Sequence, residues 1–428
     1  MHTPSRAHPN GRFGKLLEGL RLPLIQAPMA GGPGSVSLVR AVLRAGCLGS
    51  FGFAYASAER IAHDLQAVLT PSASEALGSQ GEGRTVPGTD AAFDTGAVNA
   101  NFFIFPPGSS PGKAQCEAAL AALALAMSEL PGKAGETGLT LPQPPYAPDL
   151  ATQLEAVWMH RPRMLSFHFG LPPAPLIRKA QALGICVGIS ATRLEEAQAI
   201  EAHGADVVIA QGIEAGGHRG CFDPQVEDPE HPAEELVRIL ARHCGLPVIA
   251  AGGIMTGADV ARMLAAGASA VQMGTAFLSC VESGASPEHK HFLLHEHHRP
   301  AVLTCAFSGR PARGLYNRFI ARMDAAALLP FPLQNTLSAG LRAMALARGD
   351  GEYQSMWAGT GYRQCREETV AALIGRLEAE LHEVSGPLAK SPAQGAGPAQ
   401  GDVPAPTIRA QGAGSQEDRT SVRRDGQS

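Results

Sequence analysis

Charged and aromatic residues are scarce in this chain of 428 residues. Asp, Glu, Lys and Arg make up 17% of it, against about 25% in an average globular protein, and aromatic residues make up 5%. The 35 basic and 39 acidic residues nearly balance. This balance argues against a nucleic-acid-binding protein, because such proteins usually carry a strongly basic domain. Hydrophobic residues still account for 45%, which is enough for one large buried core.

Long apolar runs and paired cysteines are also missing. The longest strongly apolar stretch covers residues 118–127, well short of the ~18 residues that a transmembrane helix needs, and no secretory signal follows Met1. The eight cysteines are scattered without a CxxC pair, so neither a disulfide framework nor a structural zinc site is expected. We therefore predict a cytoplasmic protein with reduced, mostly buried thiols, and with no membrane, nucleic-acid or metal partner.

Two segments have the composition of unstructured chain. Residues 385–428 contain no aromatic residue and are dominated by Ala, Gly, Pro, Gln and Ser, so we predict a disordered C-terminal tail. Residues 70–95 are similarly rich in Gly and predict a surface insertion, and residues 131–145 predict a further loop. The domain prediction is one catalytic domain over residues 1–384 with this insertion, followed by the tail.

Short apolar runs alternate with amphipathic stretches along the predicted domain. Helix signals lie between the runs: Thr256 and Asp259 form a capping box before a helix that ends at Gly267, and Thr192 with Glu195 suggests another box before a helix that ends at Gly204. Eight apolar runs have the length and boundaries of buried parallel strands: 24–27, 47–51, 98–103, 164–167, 185–189, 207–210, 248–251 and 270–273. Eight strands alternating with helices predict an α/β fold of the (β/α)8 TIM-barrel class, with an open doubly wound sheet as the alternative.

Glycines concentrate just after the predicted strands, where barrel enzymes place their active sites. Gly252 and Gly253 follow the seventh strand, and Gly274 and Thr275 follow the eighth. Loops at these two positions bind phosphate in many barrels, through backbone N–H groups that glycine leaves accessible. No Walker A motif is present, so the phosphate of a cofactor or substrate is favoured over a nucleoside triphosphate. The alternative is that these loops are only tight turns.

Two histidines follow predicted strands and are candidates for acid–base chemistry. His218 lies in a glycine-rich loop after the sixth strand, beside Arg219, and His168 follows the fourth strand. An imidazole is the usual general base or hydrogen-bond donor near neutral pH, so His218 is the leading catalytic candidate. The alternative for any one of the 15 histidines is a structural or solvated role.

Three other features have weaker functional signals. The histidines at 291, 295, 297 and 298 cluster without an HExxH pattern, which indicates a solvated helix end rather than a metal site. Arg310 and Arg313 lie in a turn-rich loop that binds an anion or covers the barrel surface. Trp357 is either a core residue or a cover for a flat ring.

The combination of these motifs resembles the nitronate monooxygenases, formerly called 2-nitropropane dioxygenases, which are FMN-dependent (β/α)8 enzymes. The similarity spans most of residues 22–361, and Ser-Phe-His-Phe-Gly-Leu-Pro points to the bacterial-type class that acts on nitronates. The matching motifs are Gln26-Ala27-Pro28-Met29-Ala30-Gly31-Gly32, Asn101-Phe102-Phe103, Ser166-Phe167-His168-Phe169-Gly170-Leu171-Pro172, Glu214-Ala215-Gly216-Gly217-His218-Arg219-Gly220, Ala251-Gly252-Gly253-Ile254, Gln272-Met273-Gly274-Thr275 and Phe307-Ser308-Gly309-Arg310-Pro311-Ala312-Arg313-Gly314.

The resemblance implies FMN as cofactor, His218 as the catalytic residue, and oxidation of alkyl nitronates such as propionate 3-nitronate by O2 to a carbonyl compound and nitrite. Two alternatives remain open: an NAD(P)H-dependent FMN reductase of the same fold, of the enoyl-acyl-carrier-protein or quinone reductase type, and a non-catalytic flavin-binding protein. The FMN-binding residues that the resemblance implies are Ala27, Pro28, Met29, Asn101, Gln211, Gly216, Gly217, Gly252, Gly253, Gln272, Met273, Gly274 and Thr275.

Overall fold

The computed structural model of the chain describes residues 11–70, 96–106, 111–130, 139–324 and 326–385. The predicted insertion, apart from residue 70, and the predicted tail beyond residue 385 lie outside these residues. Eleven strands are described: β1 (Leu24–Gln26), β2 (Gly49–Gly52), β3 (Val98–Phe103), β4 (Met164–His168), β5 (Cys186–Ala191), β6 (Val207–Gln211), β7 (Gly217–His218), β8 (Val248–Ala251), β9 (Ala270–Met273), β10 (Ala301–Thr304) and β11 (Ala312–Leu315).

Eight of these strands form one parallel sheet that closes on itself. The strand order is β1-β9-β8-β6-β5-β4-β3-β2, and a parallel bridge between Ile25 and Leu48 joins the two ends. At this bridge the N–H of Gln26 donates to the carbonyl of Leu48 over 2.9 Å. The (β/α)8 barrel is therefore confirmed over the open sheet.

Helices cover the outside of the barrel and follow most strands. The Thr256–Asp259 capping box is present at the start of one of them, which ends at Gly267 in the left-handed region. The helices are α1 (Arg12–Glu18), α2 (Val36–Arg44), α3 (Ala58–Leu69), α4 (Lys113–Ser128), α5 (Leu150–His160), α6 (Ala174–Ala182), α7 (Leu194–Ala202), α8 (Ala233–His243), α9 (Gly257–Ala266), α10 (Thr275–Leu278), α11 (Pro287–His295), α12 (Arg318–Met323), α13 (Leu333–Ala347) and α14 (Val370–Ser385).

The second predicted capping box is wrong. Helix α7 has Arg193 at its N-cap with no side-chain cap, and the exposed Glu195 does not reach back to Thr192. The buried Glu196 does so instead: its carboxylate accepts from the Thr192 N–H over 2.7 Å and from the Thr192 hydroxyl over 3.0 Å. The helix starts later than the sequence pattern suggests, so the carboxylate that reaches the preceding turn is one residue further along.

Side-chain alternation along the strands divides the interior from the helix layer. Val208 and Ala210 of β6 pack under the helices, while Val207 and Ile209 face the barrel axis. The residues of the axial cluster include Ile25, Leu48, Met164, Cys186, Ile249 and Ala270, and Phe13 and Leu16 of α1 join the same cluster. The axis is therefore filled by side chains and is not a pore, as is usual in such barrels.

Two smaller units are built onto the barrel. Helices α4, α12 and α13 pack around a separate buried cluster that contains Leu123, Phe307, Phe319 and Leu337. Strands β10, β11 and β7 form a three-stranded antiparallel sheet, in which Ala312 is paired with His218. His218 therefore lies in a short strand and not in an open loop, contrary to the sequence prediction.

All eight cysteines of the chain lie within the described residues. All eight cysteines are free thiols, and seven are buried, as predicted. Within the described ranges, no helix is both long enough and apolar enough to cross a membrane. Nor does that part of the chain contain a group of three or more His, Cys, Asp or Glu side chains arranged to hold a metal ion.

Candidate active site

A cavity of about 890 Å³ opens at the carboxyl ends of the barrel strands. Its volume is in the upper part of the range for small-molecule sites, so it has room for a cofactor and a substrate together. Every residue that the sequence predicted as catalytic or cofactor-binding lines it: Ala27, Pro28, Met29, Asn101, Gln211, Gly216, Gly217, His218, Gly252, Gly253, Gln272, Met273, Gly274 and Thr275.

The floor of the cavity is a layer of polar side chains. Because alternate residues of a strand face the axis, Asn101, Ser190, Gln211 and Gln272 point into the barrel one step above the apolar axial cluster. Asn101 donates to the Ser166 hydroxyl over 2.9 Å. The carbonyl oxygen Oε1 of Gln272 is buried and has no hydrogen-bond partner. A buried acceptor left in this state fits a ligand that brings an N–H or O–H donor.

Bare backbone forms one wall of the cavity. Gly252 and Gly253 have φ angles of +118° and +69°, a region that residues with a side chain rarely adopt. A Cβ atom on Gly274 would come within 3.3 Å of the Ala27 Cβ. The Thr275 hydroxyl oxygen accepts from the Gly359 N–H over 2.9 Å, so the hydroxyl proton remains available for donation to another acceptor. This wall offers backbone dipoles and one hydroxyl, as the phosphate prediction requires.

His218 is held at the mouth of the cavity through its backbone and one ring nitrogen. Its carbonyl oxygen accepts from Gln211 Nε2 over 2.9 Å and is 3.2 Å from His168 Nε2. Its own Nε2 lies 2.9 Å from the Ser308 hydroxyl oxygen. Gln211 is fully engaged in this way, because its Oε1 also accepts from the Gly220 N–H over 2.7 Å.

Aromatic rings surround the His218 imidazole. The ring centroid lies 5.8 Å from Phe103, 5.6 Å from Phe169, 6.0 Å from Phe331 and 5.5 Å from Trp357. Burial among these groups lowers the pKa of His218 to about 3, with smaller contributions from nearby positive charge. The side chain is therefore neutral at physiological pH.

His168 lines the same cavity, and its ring contacts the backbone carbonyl of His218. Burial lowers its pKa to about 4, although its hydrogen bond to the His218 carbonyl acts in the opposite direction. The next residue, Phe169, has a φ angle of +78°, which is strained for a residue with a side chain. Phe169 is held there by the Phe103 ring at 4.4 Å and by the guanidinium of Arg310, 4.0 Å from the ring centre.

The arginines that the sequence singled out are turned away from the cavity. Arg219 is 1% exposed and forms a two-pronged ion pair with Asp228, over 2.8 and 3.1 Å. Arg310 donates to the Cys221 carbonyl, and Arg313 donates to the carbonyls of Ile213 and Ala301. The donors of Arg310 and Arg313 end on backbone carbonyls, and Arg310, at 1% exposed, is a buried residue and not the cover of the barrel surface that the sequence suggested.

Other predicted features divide between surface and cavity. His291 and His298 are exposed and lie near Glu296, which agrees with a solvated helix end. Trp357 lines the cavity and packs at right angles to Phe307, with 5.3 Å between the ring centres. Its backbone carbonyl is 3.1 Å from Nε2 of the buried His289.

Sequence reasoning missed three residues that shape the cavity. Ser308 fixes the His218 ring, and His289 supports the Trp357 segment. Arg342, on α13, also lines the cavity. The sequence could have indicated Arg342, because it is the only charged residue between positions 325 and 347. Ser308 belongs to one of the motifs that carry the resemblance, but no local pattern indicated its role or that of His289, since their partners lie far away along the chain.

A family model described as nitronate monooxygenase matches residues 100–380. A nitronate monooxygenase of Pseudomonas aeruginosa is 39% identical over 378 residues, which cover 86% of this chain and 99% of that protein. A nitronate monooxygenase of Paraburkholderia phytofirmans is 38% identical over 373 residues, covering 86% and 94%.

Two solved structures extend the comparison to the fold. The nitroalkane oxidase from Streptomyces ansochromogenes matches with a TM-score of 0.73 and 34% identity, covering 86% of this chain and 98% of that chain. The structure of FabK from Thermotoga maritima matches with a TM-score of 0.61 and 25% identity, covering 88% and 97%. Because the family model matches well over half of the chain and the two relatives match almost along their whole length, the chain belongs to the nitronate monooxygenase family of oxidoreductases.

Proposed function

We propose that the chain binds FMN and oxidises alkyl nitronates with O2, giving a carbonyl compound and nitrite. The observation that carries the proposal is the neutral imidazole of His218 at the mouth of a cavity that all the predicted cofactor residues line, in a chain of this family. The similarity to the Streptomyces nitroalkane oxidase supports the same class of nitrogen-containing substrate.

The described residues fit FMN on two separate grounds. The buried Oε1 of Gln272 needs a donor, and the edge of a flavin ring supplies an N–H. The glycines at 252, 253 and 274 leave backbone accessible on one wall, where a single phosphate would bind without a Lys or Arg. We therefore propose that Ala27, Pro28 and Met29 flank the ring. When bound, FMN would supply the electron-accepting chemistry that neither amide nor imidazole side chains possess.

The Ser308 hydroxyl determines which chemistry His218 can perform. Its oxygen lies 3.1 Å from the Arg310 carbonyl oxygen and 2.9 Å from His218 Nε2, so when the hydroxyl donates to that carbonyl, its oxygen accepts from His218 Nε2–H. Nδ1 of His218 then carries a lone pair and can take the α-proton of a neutral nitroalkane. If the hydroxyl proton rotates toward Nε2, Nδ1 carries the proton and donates to an anionic nitronate oxygen.

The charge of the cavity favours the second arrangement. Among the described lining residues there is no Asp or Glu, and Arg342 is the one residue with a permanent charge. A nitronate is an anion, so it enters a site that is neutral to positive. Because the nitronate is already deprotonated, His218 has to orient it and stabilise its charge, without first removing a proton.

Cofactor identity and reaction are tested separately. Flavin released by heat from the purified protein and separated by chromatography should be FMN, since the glycine wall offers one phosphate site. Recovery of FAD, or of no flavin, contradicts the cofactor assignment. Oxygen uptake with propionate 3-nitronate, together with nitrite formation, then tests the reaction.

One other function remains a candidate, the NAD(P)H-dependent FMN reductase of the same fold that the sequence resemblance left open. Anaerobic mixing with NADH or NADPH distinguishes the two, because rapid bleaching of the flavin in the absence of nitronate is expected only of the reductase. A protein that holds FMN yet takes up no oxygen with nitronates and is not reduced by either nucleotide would instead be a non-catalytic flavin-binding protein.

A further inference from the structure

Arg342 lines the cavity as a cation, and no carboxylate among the described residues lines the cavity with it. Its guanidinium donates from Nη2 to the backbone carbonyl and the side-chain oxygen of Asn335, over 2.7 and 3.0 Å. Its Nε is buried and has no hydrogen-bond partner. Among the described residues, the one ionisable group that raises the pKa of Arg342 is the Tyr55 phenol.

Two other buried arginines near the cavity have their guanidinium groups engaged by the protein itself. Arg219 faces the carboxylate of Asp228, and Arg310 faces the Cys221 carbonyl and the ring of Phe169, although Nε of Arg310 has no hydrogen-bond partner. Burying a cation without such partners costs folding free energy. Arg342 differs from both in opening onto the cavity, so the missing partner is expected to come from a ligand.

The surroundings of Arg342 suit a small anion. Tyr55, Asn335, Thr336 and Ala339 line the cavity around it, and we call these five residues the distal chamber. Burial lowers the pKa of Arg342, and the nearby Tyr55 phenol acts in the opposite direction. A planar guanidinium beside a phenol matches the two oxygens of a carboxylate, which accept paired N–H donors.

The distal chamber is separate from the wall proposed for the cofactor phosphate. Tyr55 follows β2 and packs edge-on against Phe103 of β3 at 6.0 Å. In the closed strand order, β3 lies diametrically opposite β8, which precedes Gly252 and Gly253. The side of the chamber formed by Tyr55 against Phe103 therefore lies opposite Gly252 and Gly253.

The chamber and His218 are nevertheless within reach of one small molecule. Phe103 contacts both Tyr55 and His218, and Phe331 contacts His218 just before α13 begins. The charge of Arg342 is also close enough to contribute to the lowered pKa of His218. A short aliphatic chain along these rings would join a group at His218 to a group at Arg342.

We propose that Arg342, assisted by Tyr55, binds a second anionic group, a carboxylate, at the far end of a nitronate whose reacting carbon lies at His218. This assignment rests on the proposed function for the identity of the reacting group. It makes Arg342 a specificity-determining residue that selects nitronates with two negative charges over simple alkyl nitronates.

Binding of stable analogues tests the proposal without turnover. Succinate carries two planar anionic groups, whereas butyrate has the same number of carbons and only one. Titration calorimetry on the flavin-containing protein should show tighter binding of succinate by roughly 10- to 100-fold, the usual effect of a charge-assisted pair. Arg342→Gln should remove most of this ratio, Arg342→Lys should keep part of it, and Tyr55→Phe should reduce it less.

Arg238→Gln is the matched control, because it removes a surface arginine that pairs with Glu234 away from the cavity. It should leave the ratio of succinate to butyrate affinity unchanged. Equal binding of the two acids by the wild type would overturn the proposal. The proposal would also be overturned if Arg342→Gln kept its flavin and melting temperature but bound succinate and butyrate more weakly by the same factor. That pattern indicates a general electrostatic effect of the charge and not a contact with the second carboxylate.

Measurements of turnover distinguish a failure of this proposal from a failure of the proposed function. With propionate 3-nitronate, Arg342→Gln should raise KM much more than it lowers kcat, because Arg342 does not touch the reacting atoms. With the nitronate of 3-nitropropionamide, which lacks the second charge, the rise in KM should be several-fold smaller. If the wild type oxidises neither nitronate, the proposed function fails, while the ratio of analogue affinities still decides the role of Arg342.

Discussion

Replacing His218 by Asn tests the centre of the proposed site, because the structure separates the role of the side chain from that of the backbone. The bonds from Gln211 and His168 both end on the His218 carbonyl, and the pairing with Ala312 is also made by the backbone. These contacts survive the substitution. What is lost is the imidazole, with its 2.9 Å contact to Ser308 and its packing among aromatic rings.

The expected loss is large in turnover and small in cofactor binding. A group that transfers a proton or stabilises developing charge contributes roughly 10²- to 10⁴-fold, which corresponds to about 3–5 kcal/mol of activation free energy. The glycine wall is not touched, so the flavin content per protein should be retained. Turnover per bound flavin, measured by oxygen uptake with a nitronate, is the quantity to compare.

Two control variants calibrate this loss. Ser308→Ala removes only the hydrogen bond that orients the ring, worth about 1 kcal/mol, so turnover per flavin should fall by roughly fivefold. His168→Gln changes a second buried histidine of the same cavity and should cost less than about tenfold. Near-normal turnover per flavin in His218→Asn would refute the catalytic role. Joint loss of turnover, flavin and solubility would instead indicate a structural role.

Three further outcomes are expected. His289 is 5% exposed and burial lowers its pKa to about 4, below the ordinary 6.5, so its stabilising effect is complete above pH 6.5 and is lost as the pH falls toward 4. In the wild type, the free energy of unfolding should therefore fall as the pH is lowered from 6 to 4.5, and His289→Gln should make this slope smaller by about 1.4 kcal/mol per pH unit. Urea unfolding measures the slope, and an unchanged slope in the variant would contradict this reasoning. Arg310→Met should lower the free energy of unfolding by about 1–3 kcal/mol, because the buried Cys221 carbonyl loses its donor; an unchanged denaturation midpoint would show that Arg310 is dispensable. Deleting residues 385–428, whose composition lacks an apolar pattern, should leave flavin content and melting temperature nearly unchanged, and a drop of many degrees would mean that the segment packs on the barrel.

The barrel strands could be predicted because a strand buried on both faces must be apolar along its length. The errors fall mainly at the strand ends. The predicted fourth and sixth strands stop at 167 and 210, whereas β4 and β6 continue through His168 and Gln211. Both residues are polar, and polarity normally marks the end of a buried strand. Here they extend the strands because their side chains face a polar cavity and their backbones still pair with Phe103 and Ala251.

The small sheet around His218 was beyond sequence reasoning for a different reason. Strand β7 has only two residues, too few for any alternation of polarity, and its partner β11 comes about a hundred residues later. Pairing over such a distance leaves no local pattern. The sequence could nominate His218 by its position after a strand, but the identity of Ser308 as its partner needed the folded chain.

The distribution of charge around the cavity connects the fold to the proposed chemistry. Arg219 is paired with a carboxylate, and Arg310 contacts a carbonyl and a ring. Burial lowers the pKa of the three cavity histidines, His168, His218 and His289, so that all three are neutral at physiological pH. One cation remains, Arg342, in a cavity without described carboxylates. A protein selected for stability alone would lose such a charge or pair it, because an apolar side chain of similar size would avoid the desolvation cost. Its presence beside Tyr55 is therefore best explained by an anion that arrives with the substrate.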